Sequence, residues 1–408
     1  MKKKSLLLLF FIPALNVFGT PDSWVQKSAL PASSRAGAVA FALDGSGYVG
    51  TGLDSAGNLL NDFWKYNALN DTWSQVAAFP GTPRKNAVAF VTDSFAFVGT
   101  GYDAAGLTKD FYRYDATNNS WQQIADLDSA GAVYPRRDAA SFAFNNKGYV
   151  VGGYDGTTFY SKATWEYDGN RDTVWTEKTS FPLAGRRWAT GFSVDNFGFF
   201  GLGYNFSQEY FHDFWMYDVA TNTWTQMADF IGNKRGYAVS FVINGFAYVG
   251  SGFDGALKGD FYVFDYLNNS WGQVATFGGL PTSAAAAFSL DGKGYVFGGV
   301  DTLGYKNELW EYTPDNTLGV NNPPGDEHEA IFAYPNPAPD HLVFENLKDE
   351  CKYVLTLYDT SGKLIFRQSL SHDVKTVSLK NLKSGIYYYC IEMEAEKYSR
   401  VTGKVLLQ

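Results

Sequence analysis

The chain is 408 residues long and holds only two cysteines, Cys351 and Cys390, both in its last sixty or so positions. Disulfides therefore hold nothing together over the first three hundred residues. Histidine is nearly as scarce: of four, only His212 precedes residue 320. No Cys/His spacing of a zinc site is present, and a lone loop histidine is a poor metal ligand. A Ser/His/Asp triad needs an inward-facing histidine, and no strand–turn–helix nucleophile elbow occurs. Charge is sparse at 18% and tilts acidic, with a net charge of −9. No basic stripe with interleaved aromatics appears, which argues against a nucleic-acid surface. Long apolar runs are missing except near the start. There Met1-Lys2-Lys3-Lys4 precedes an apolar stretch from Ser5 to Val17, broken by Pro13 and Asn16, with Gly19 before Thr20. That pattern predicts a secretory leader over 1–19, and no transmembrane segment once it is removed.

What is abundant is aromatic and glycine: 17% Phe, Trp and Tyr, and 42 glycines, which suits many short strands and tight turns. These residues recur in register. An arginine stands at Arg35, Arg84, Arg136, Arg186 and Arg235, with Thr282 in the sixth place. Six residues on come Phe41, Phe90, Phe142, Phe192, Phe241 and Phe288, and eleven further Gly52, Gly101, Gly153, Gly203, Gly252 and Gly299. Aromatic pairs follow at Trp64/Tyr66, Tyr112/Tyr114, Trp165/Tyr167, Trp215/Tyr217, Tyr262/Phe264 and Trp310/Tyr312. Trp73, Trp121, Trp175, Trp224 and Trp271 end the units. The arginine-to-glycine spacing is constant, whereas the spacing from glycine to aromatic pair varies by up to two residues. The first half of each unit is therefore scaffold and the stretch after the glycine a loop.

A period of about 50 residues with four apolar runs per unit marks a propeller blade. The glycine position, the aromatic pair and the trailing tryptophan together resemble kelch repeats, over residues 22 to 314. Two units carry the double glycine, Gly152-Gly153 and Gly298-Gly299; the other four read Gly-x-Gly. The expected fold is all-β: a six-bladed kelch-type propeller over 20–314, a linker over 315–330 and a small β-sandwich over 331–408. The sixth unit lacks a trailing tryptophan, while Asp22-Ser23-Trp24 precedes the first arginine. Trp24 is thus expected to supply the outer strand of the sixth blade and close the ring. Ala38, Ala87, Ala139, Ala189, Ala238 and Ala285, with a small residue two places later, mark the crowded hub. A leucine there would cost ~1–3 kcal/mol by overpacking.

Beyond a polar, proline-rich stretch (Asn321-Asn322-Pro323-Pro324-Gly325), alternating runs from Leu342 to Leu407 read as short strands. Tyr334-Pro335-Asn336-Pro337, Tyr358-Asp359-Thr360-Ser361-Gly362-Lys363, Leu382-Lys383-Ser384-Gly385-Ile386-Tyr387 and Gly403-Lys404-Val405 resemble the C-terminal sorting domain of the type IX secretion system. The resemblance implies export to the outer cell surface or beyond, and the secretion machinery as a partner. Cys351 and Cys390 fit either a bridge or two buried thiols.

The kelch resemblance brings galactose oxidase to mind, but its copper chemistry needs a crosslinked cysteine, and the repeats have none. A sialidase-type Asp box is absent as well. No cofactor or metal is expected. One constellation stands out: two residues past each glycine lie Asp54, Asp103, Asp155, Asn205, Asp254 and Asp301, on the same face as the arginines. They read either as Arg–Asp pairs and turn caps, or as a polar cup for a sugar or anion. Loop aromatics Tyr134, Tyr154, Trp188, Tyr204, Phe206 and Tyr237 fall at that end. The loop before Arg136 is also four residues longer than its counterparts. The candidate ligand-binding residues are Arg84, Arg136, Arg137, Arg186, Arg187, Trp188, Arg235, Tyr154 and Tyr204. The expected function is a secreted or surface module that binds a glycan or protein at this face. The alternative is a carbohydrate-active enzyme resembling sialic acid mutarotases, with Glu209 or a ring aspartate as acid/base.

Overall fold

The computed structural model describes residues 22–314 and 332–407, less 130–131, 170–174, 206, 208, 267, 335–337, 339, 346, 349–350, 360–363 and 394–399. The leader and linker expected at 1–19 and 315–330 lie outside the described residues.

Six four-stranded antiparallel sheets follow one another. Blade 1 runs Val39–Leu43, Ser46–Gly50, Phe63–Asn67 and Thr72–Val76 from hub to rim. Blades 2 to 5 repeat that order, with inner strands Val88–Val91, Ala140–Phe144, Thr190–Val194 and Val239–Ile243. Blade 6 has inner strands Ala286–Leu290 and Lys293–Phe297 and a third strand Leu309–Thr313. Its outermost strand is Ser23–Lys27, with Trp24 opposite Tyr312 and Gln26 opposite Trp310. The sequence-predicted closure is therefore present. Each inner strand packs on the next around the hub, and that of blade 6 on that of blade 1.

Local chemistry explains the repetition. The inner hairpins turn on two residues at positive φ, such as Asp44-Gly45, Asn145-Asn146 and Asn244-Gly245. This mirror-image turn matches strand twist and favours Asn, Asp and Gly. The hub is tight: a Cβ on Gly191 would lie 3.1 Å from Ala140 Cβ in the neighbouring blade. Ser141 Oγ and Ser240 Oγ donate to the inner-strand carbonyls of Ala89 and Gly191 in the preceding blade, at 2.8 and 3.1 Å.

Two rings of hydrogen bonds join the blades. At the rim, the indole N–H of Trp24, Trp73, Trp121, Trp175, Trp224 and Trp271 donates to the carbonyl of Ala275, Ser28, Ala77, Ala125, Thr179 and Ala228 respectively. Each acceptor follows the outer strand of the preceding blade, so the tryptophans act as stitches as well as core. Nearer the hub, Gly52, Gly101, Gly153, Gly203, Gly252 and Gly299 donate N–H to the carbonyls of Arg84, Arg136, Arg186, Arg235, Thr282 and Arg35. These glycines have φ between 90° and 111°, and a Cβ on Gly203 would come 2.8 Å from the Arg187 carbonyl oxygen. The position thus requires glycine on both counts.

The C-terminal region forms a three-stranded sheet, Phe332–Tyr334, His341–Glu345 and Thr376–Ser378, and a four-stranded one. The latter orders Leu364–Leu370, Tyr353–Asp359, Gly385–Met393 and Arg400–Leu407. Leu342, Phe344 and Val377 of one sheet share a core with Leu355, Leu357, Ile391 and Val405 of the other, so the two form a sandwich. No disulfide joins Cys351 and Cys390.

Candidate functional site

The repeat arginines come first. Arg35, Arg84, Arg136, Arg186 and Arg235 are all buried, each at most 1% exposed. Each Nη1 donates to the carbonyl just before its own blade's glycine, at 2.9–3.3 Å. Four also form forked pairs with a carboxylate: Arg35 with Asp62, Arg84 with Asp110, Arg186 with Asp213 and Arg235 with Asp260. The Arg84, Arg186 and Arg235 guanidiniums lie over Phe79, Phe181 and Phe230 as well. This corrects the sequence reading, which placed Arg84, Arg136, Arg186 and Arg235 among ligand-contacting residues. The Arg84, Arg186 and Arg235 charges are committed to carboxylates directly before the third strand, not two residues past the glycine, while Arg136 is buried against the carbonyls of Tyr134 and Gly152.

The residues two past the glycine do another job. Asp54, Asp103, Asp155, Asn205, Asp254 and Asp301 accept backbone N–H groups of their own loops. These are turn caps, and no arginine–carboxylate ring joins them to the repeat arginines.

The residue after each arginine points elsewhere. Arg137 and Tyr154, and Arg187 and Tyr204, face each other in short backbone bridges. The Arg137 guanidinium sits 4.8 Å from the Tyr102 ring and 5.3 Å from that of Tyr154. The Arg187 guanidinium sits 3.8 Å from Trp188 and within 6 Å of Tyr154, Tyr160 and Tyr204. Trp188 stacks on Tyr237 at 4.2 Å, and Tyr204 packs on Tyr210 at 5.0 Å. The result is a run of rings from blade 2 to blade 5 with two guanidiniums set into it. Arg137, Arg187, Trp188, Tyr154 and Tyr204 are thus brought together, while Tyr134 packs on Trp165 instead. Phe206 lies outside the described residues.

Inside this run is a smaller ring. The second residue after each arginine position, Gly37, Asn86, Asp138, Trp188, Tyr237 and Ala284, has φ of 52–63°. Gly37, Asn86, Asp138, Trp188 and Tyr237 each donate N–H to the preceding member's carbonyl, Gly37 to Ala284. A left-handed backbone costs roughly 1–3 kcal/mol at a bulky residue such as tryptophan. Asp138 is 7% exposed, and Asn86 Nδ2 donates to its Oδ1 at 2.5 Å. Arg137 Nε lies 3.4 Å from its Oδ2. Burial pushes the Asp138 carboxyl above the usual range, against the pull of Arg137 and Arg187. Burial also raises Tyr237. The Nε of Arg187 is buried with no hydrogen-bond partner among the described residues. Next to the run, Glu209, Tyr210, Asn233, Lys234 and Asp254 line an open groove of about 490 Å³, with Glu209 exposed.

Sequence reasoning did not pick out Asn86, Asp138, Tyr102, Tyr160 or Tyr210. The signal was there for the first three: counting from the arginine gives the ring position, and counting one past the glycine gives Tyr102, Tyr154 and Tyr204. His212 pairs with Asp229 at 3.1 Å. Among the described residues no cluster of three His, Cys, Asp or Glu is placed to hold a metal ion.

Comparison with known proteins agrees with this architecture. Residues 125–299 match the KLHDC2/KLHL20/DRC7 Kelch-repeats domain, and residues 332–406 match the secretion system C-terminal sorting domain. Among solved structures, one titled "Structure of YjhT" is similar at a TM-score of 0.56 and 18% identity, covering 69% of this chain and 96% of that one. No curated protein sequence matches. The chain combines a kelch-repeat propeller with a C-terminal secretion sorting domain. It is accordingly a secreted or outer-surface protein that engages the secretion machinery through its C-terminal region.

Proposed function

We propose that the propeller is a binding module for a glycan carrying an acidic group, received by the aromatic run of blades 2 to 5. The observation that carries this is the pair Arg137 and Arg187. Both guanidiniums lie against ring faces and, unlike that of Arg186, neither is forked onto a carboxylate, Arg137 only approaching Asp138 at 3.4 Å through Nε. Ring faces stack on sugar C–H surfaces, and guanidiniums fork onto a carboxylate or sulfate. The strained Trp188 backbone supports the same reading, since such strain concentrates where a side chain is needed in place. A protein ligand presenting an acidic side chain would use the same groups.

The test is a binding screen with full-length protein against neutral sugars, sugar acids and sulfated sugars. The acidic members bind, and Arg137→Ala and Arg187→Ala each weaken them about tenfold or more, as loss of a charged hydrogen bond would. Equal binding by neutral and acidic sugars would refute the reading.

One observation favours a second reading, an enzyme of the sugar-acid mutarotase type. Asp138 is a buried carboxyl with a raised proton affinity beside two arginines, which is what a general acid/base needs. Glu209, exposed at the rim of the open groove, fits that role less well. Turnover of a bound sugar acid that disappears in Asp138→Asn while binding persists would establish the enzyme. Binding without turnover leaves the module.

A further inference from the structure

Blade 3 departs from its sisters at one buried point. Before the third strand stand Asp62, Asp110, Asp213, Asp260 and Glu308 in the other blades, but Ala163 in blade 3. In blades 1 and 4 that carboxylate holds two donors at once, the repeat arginine and the aromatic two places on: Trp64 Nε1 reaches Asp62 at 2.7 Å and Trp215 Nε1 reaches Asp213 at 2.8 Å. In blade 5 Tyr262 does the same with Asp260. In blade 6, where Thr282 replaces the arginine, Glu308 still takes Trp310 Nε1 and lies 3.9 Å from Lys306.

In blade 3 both donors remain and the acceptor is missing. Trp165 is fully buried and its Nε1 has no hydrogen-bond partner among the described residues. Arg136 is 1% exposed and among the described residues reaches only two carbonyls, Tyr134 at 3.3 Å and Gly152 at 2.9 Å. No phenylalanine lies over it as over Arg84, Arg186 and Arg235; Leu127 holds the corresponding place. Tyr134 packs on Trp165 at 4.5 Å between centroids and covers that face. Burial pulls Arg136 down to about 10, against the opposing pull of Asp155, Glu177 and Tyr134. An unpaired buried cation and an unsatisfied indole N–H are each costly.

We propose that blade 3 binds a small inorganic anion, chloride foremost, between Arg136 and Trp165, where its sister blades place a carboxylate. An ion about the size of a carboxylate group would take the place of the side-chain atoms that an aspartate carries beyond Cβ at position 163, beside the Tyr134 ring. It is separate from the aromatic run and independent of the glycan reading.

The experiment is thermal unfolding of the full chain in sodium chloride or bromide against sodium isethionate, whose anion is too large, at constant ionic strength. The melting temperature of the natural protein rises saturably with chloride, since an ion bound only by the folded state stabilises it. Ala163→Asp supplies the acceptor internally, so it melts higher in isethionate and no longer responds to chloride. Trp165→Phe removes one donor and raises the chloride concentration needed for half the effect roughly tenfold. No saturable shift in the natural protein, or a Trp165→Phe response equal to it, overturns the proposal even if Ala163→Asp fails to fold.

Discussion

At the scale of single residues, adjacent arginines have opposite work. Arg186 is buried and forked onto Asp213, whereas Arg187 lies among rings. Removing one partner of a buried ion pair leaves the other charge stranded, at about 3–5 kcal/mol. Arg186→Ala is therefore expected to lower unfolding free energy by that amount in a denaturant titration, with Arg235→Ala close behind. The pairs also set an acid limit. Burial alone would raise the Asp260 and Asp62 carboxyls, but bonding to Arg235 and Arg35 outweighs it and holds both below the usual range. A depressed folded-state pKa contributes stability above the unfolded value, which is lost as pH falls through the folded one. The melting temperature should thus be flat above about pH 4 and fall below it; Asp62→Asn with Asp260→Asn should flatten that fall. The repeat arginines were legible in the sequence as a ring, but their partners were not. Nothing in spacing alone says whether an arginine turns toward the loop two residues past the glycine or toward the residue that opens the third strand. Side-chain direction decides it, and direction appears only once the strands are placed.

At the scale of elements, the strand Ser23–Lys27 is the latch. Trp24 packs against Phe241, Phe261, Phe277 and Tyr312, and its indole N–H crosses to Ala275 in blade 5. Asp22 accepts the Ala275 N–H and the Tyr312 hydroxyl. Trp24→Ala should cost about 3 kcal/mol, the low end for a large aromatic because the ring is only part-buried. Hydrogen exchange should then quicken first in Leu309–Thr313, the strand left as an edge. This closure was readable from sequence because the deficit at one end and the surplus at the other were the same tripeptide pattern. The inner ring of left-handed residues was readable only as a register, two places past each arginine position, because Gly37, Asn86, Asp138, Trp188, Tyr237 and Ala284 share a backbone conformation but no side-chain type. A pattern search over residue types passes over them.

At the scale of the whole molecule, the propeller carries a charged aromatic surface and the sandwich carries the address. Deleting residues 332–406 should leave the protein unexported, as fractionation of surface and cell-bound material would show. The aromatic surface gathers on blades 2 to 5 because arginine follows the repeat arginine only in blades 3 and 4, and tyrosine follows the repeat glycine only in blades 2 to 4. Blade 5 adds Tyr237 through the inner ring. The most direct measurement sets Arg186→Ala beside Arg187→Ala, reading melting temperature and sugar-acid affinity of each full-length variant. The account predicts that Arg186→Ala melts many degrees lower, while Arg187→Ala keeps its melting temperature and loses at least about tenfold in affinity. Equal loss of stability in both variants, or undiminished affinity in Arg187→Ala, would contradict it.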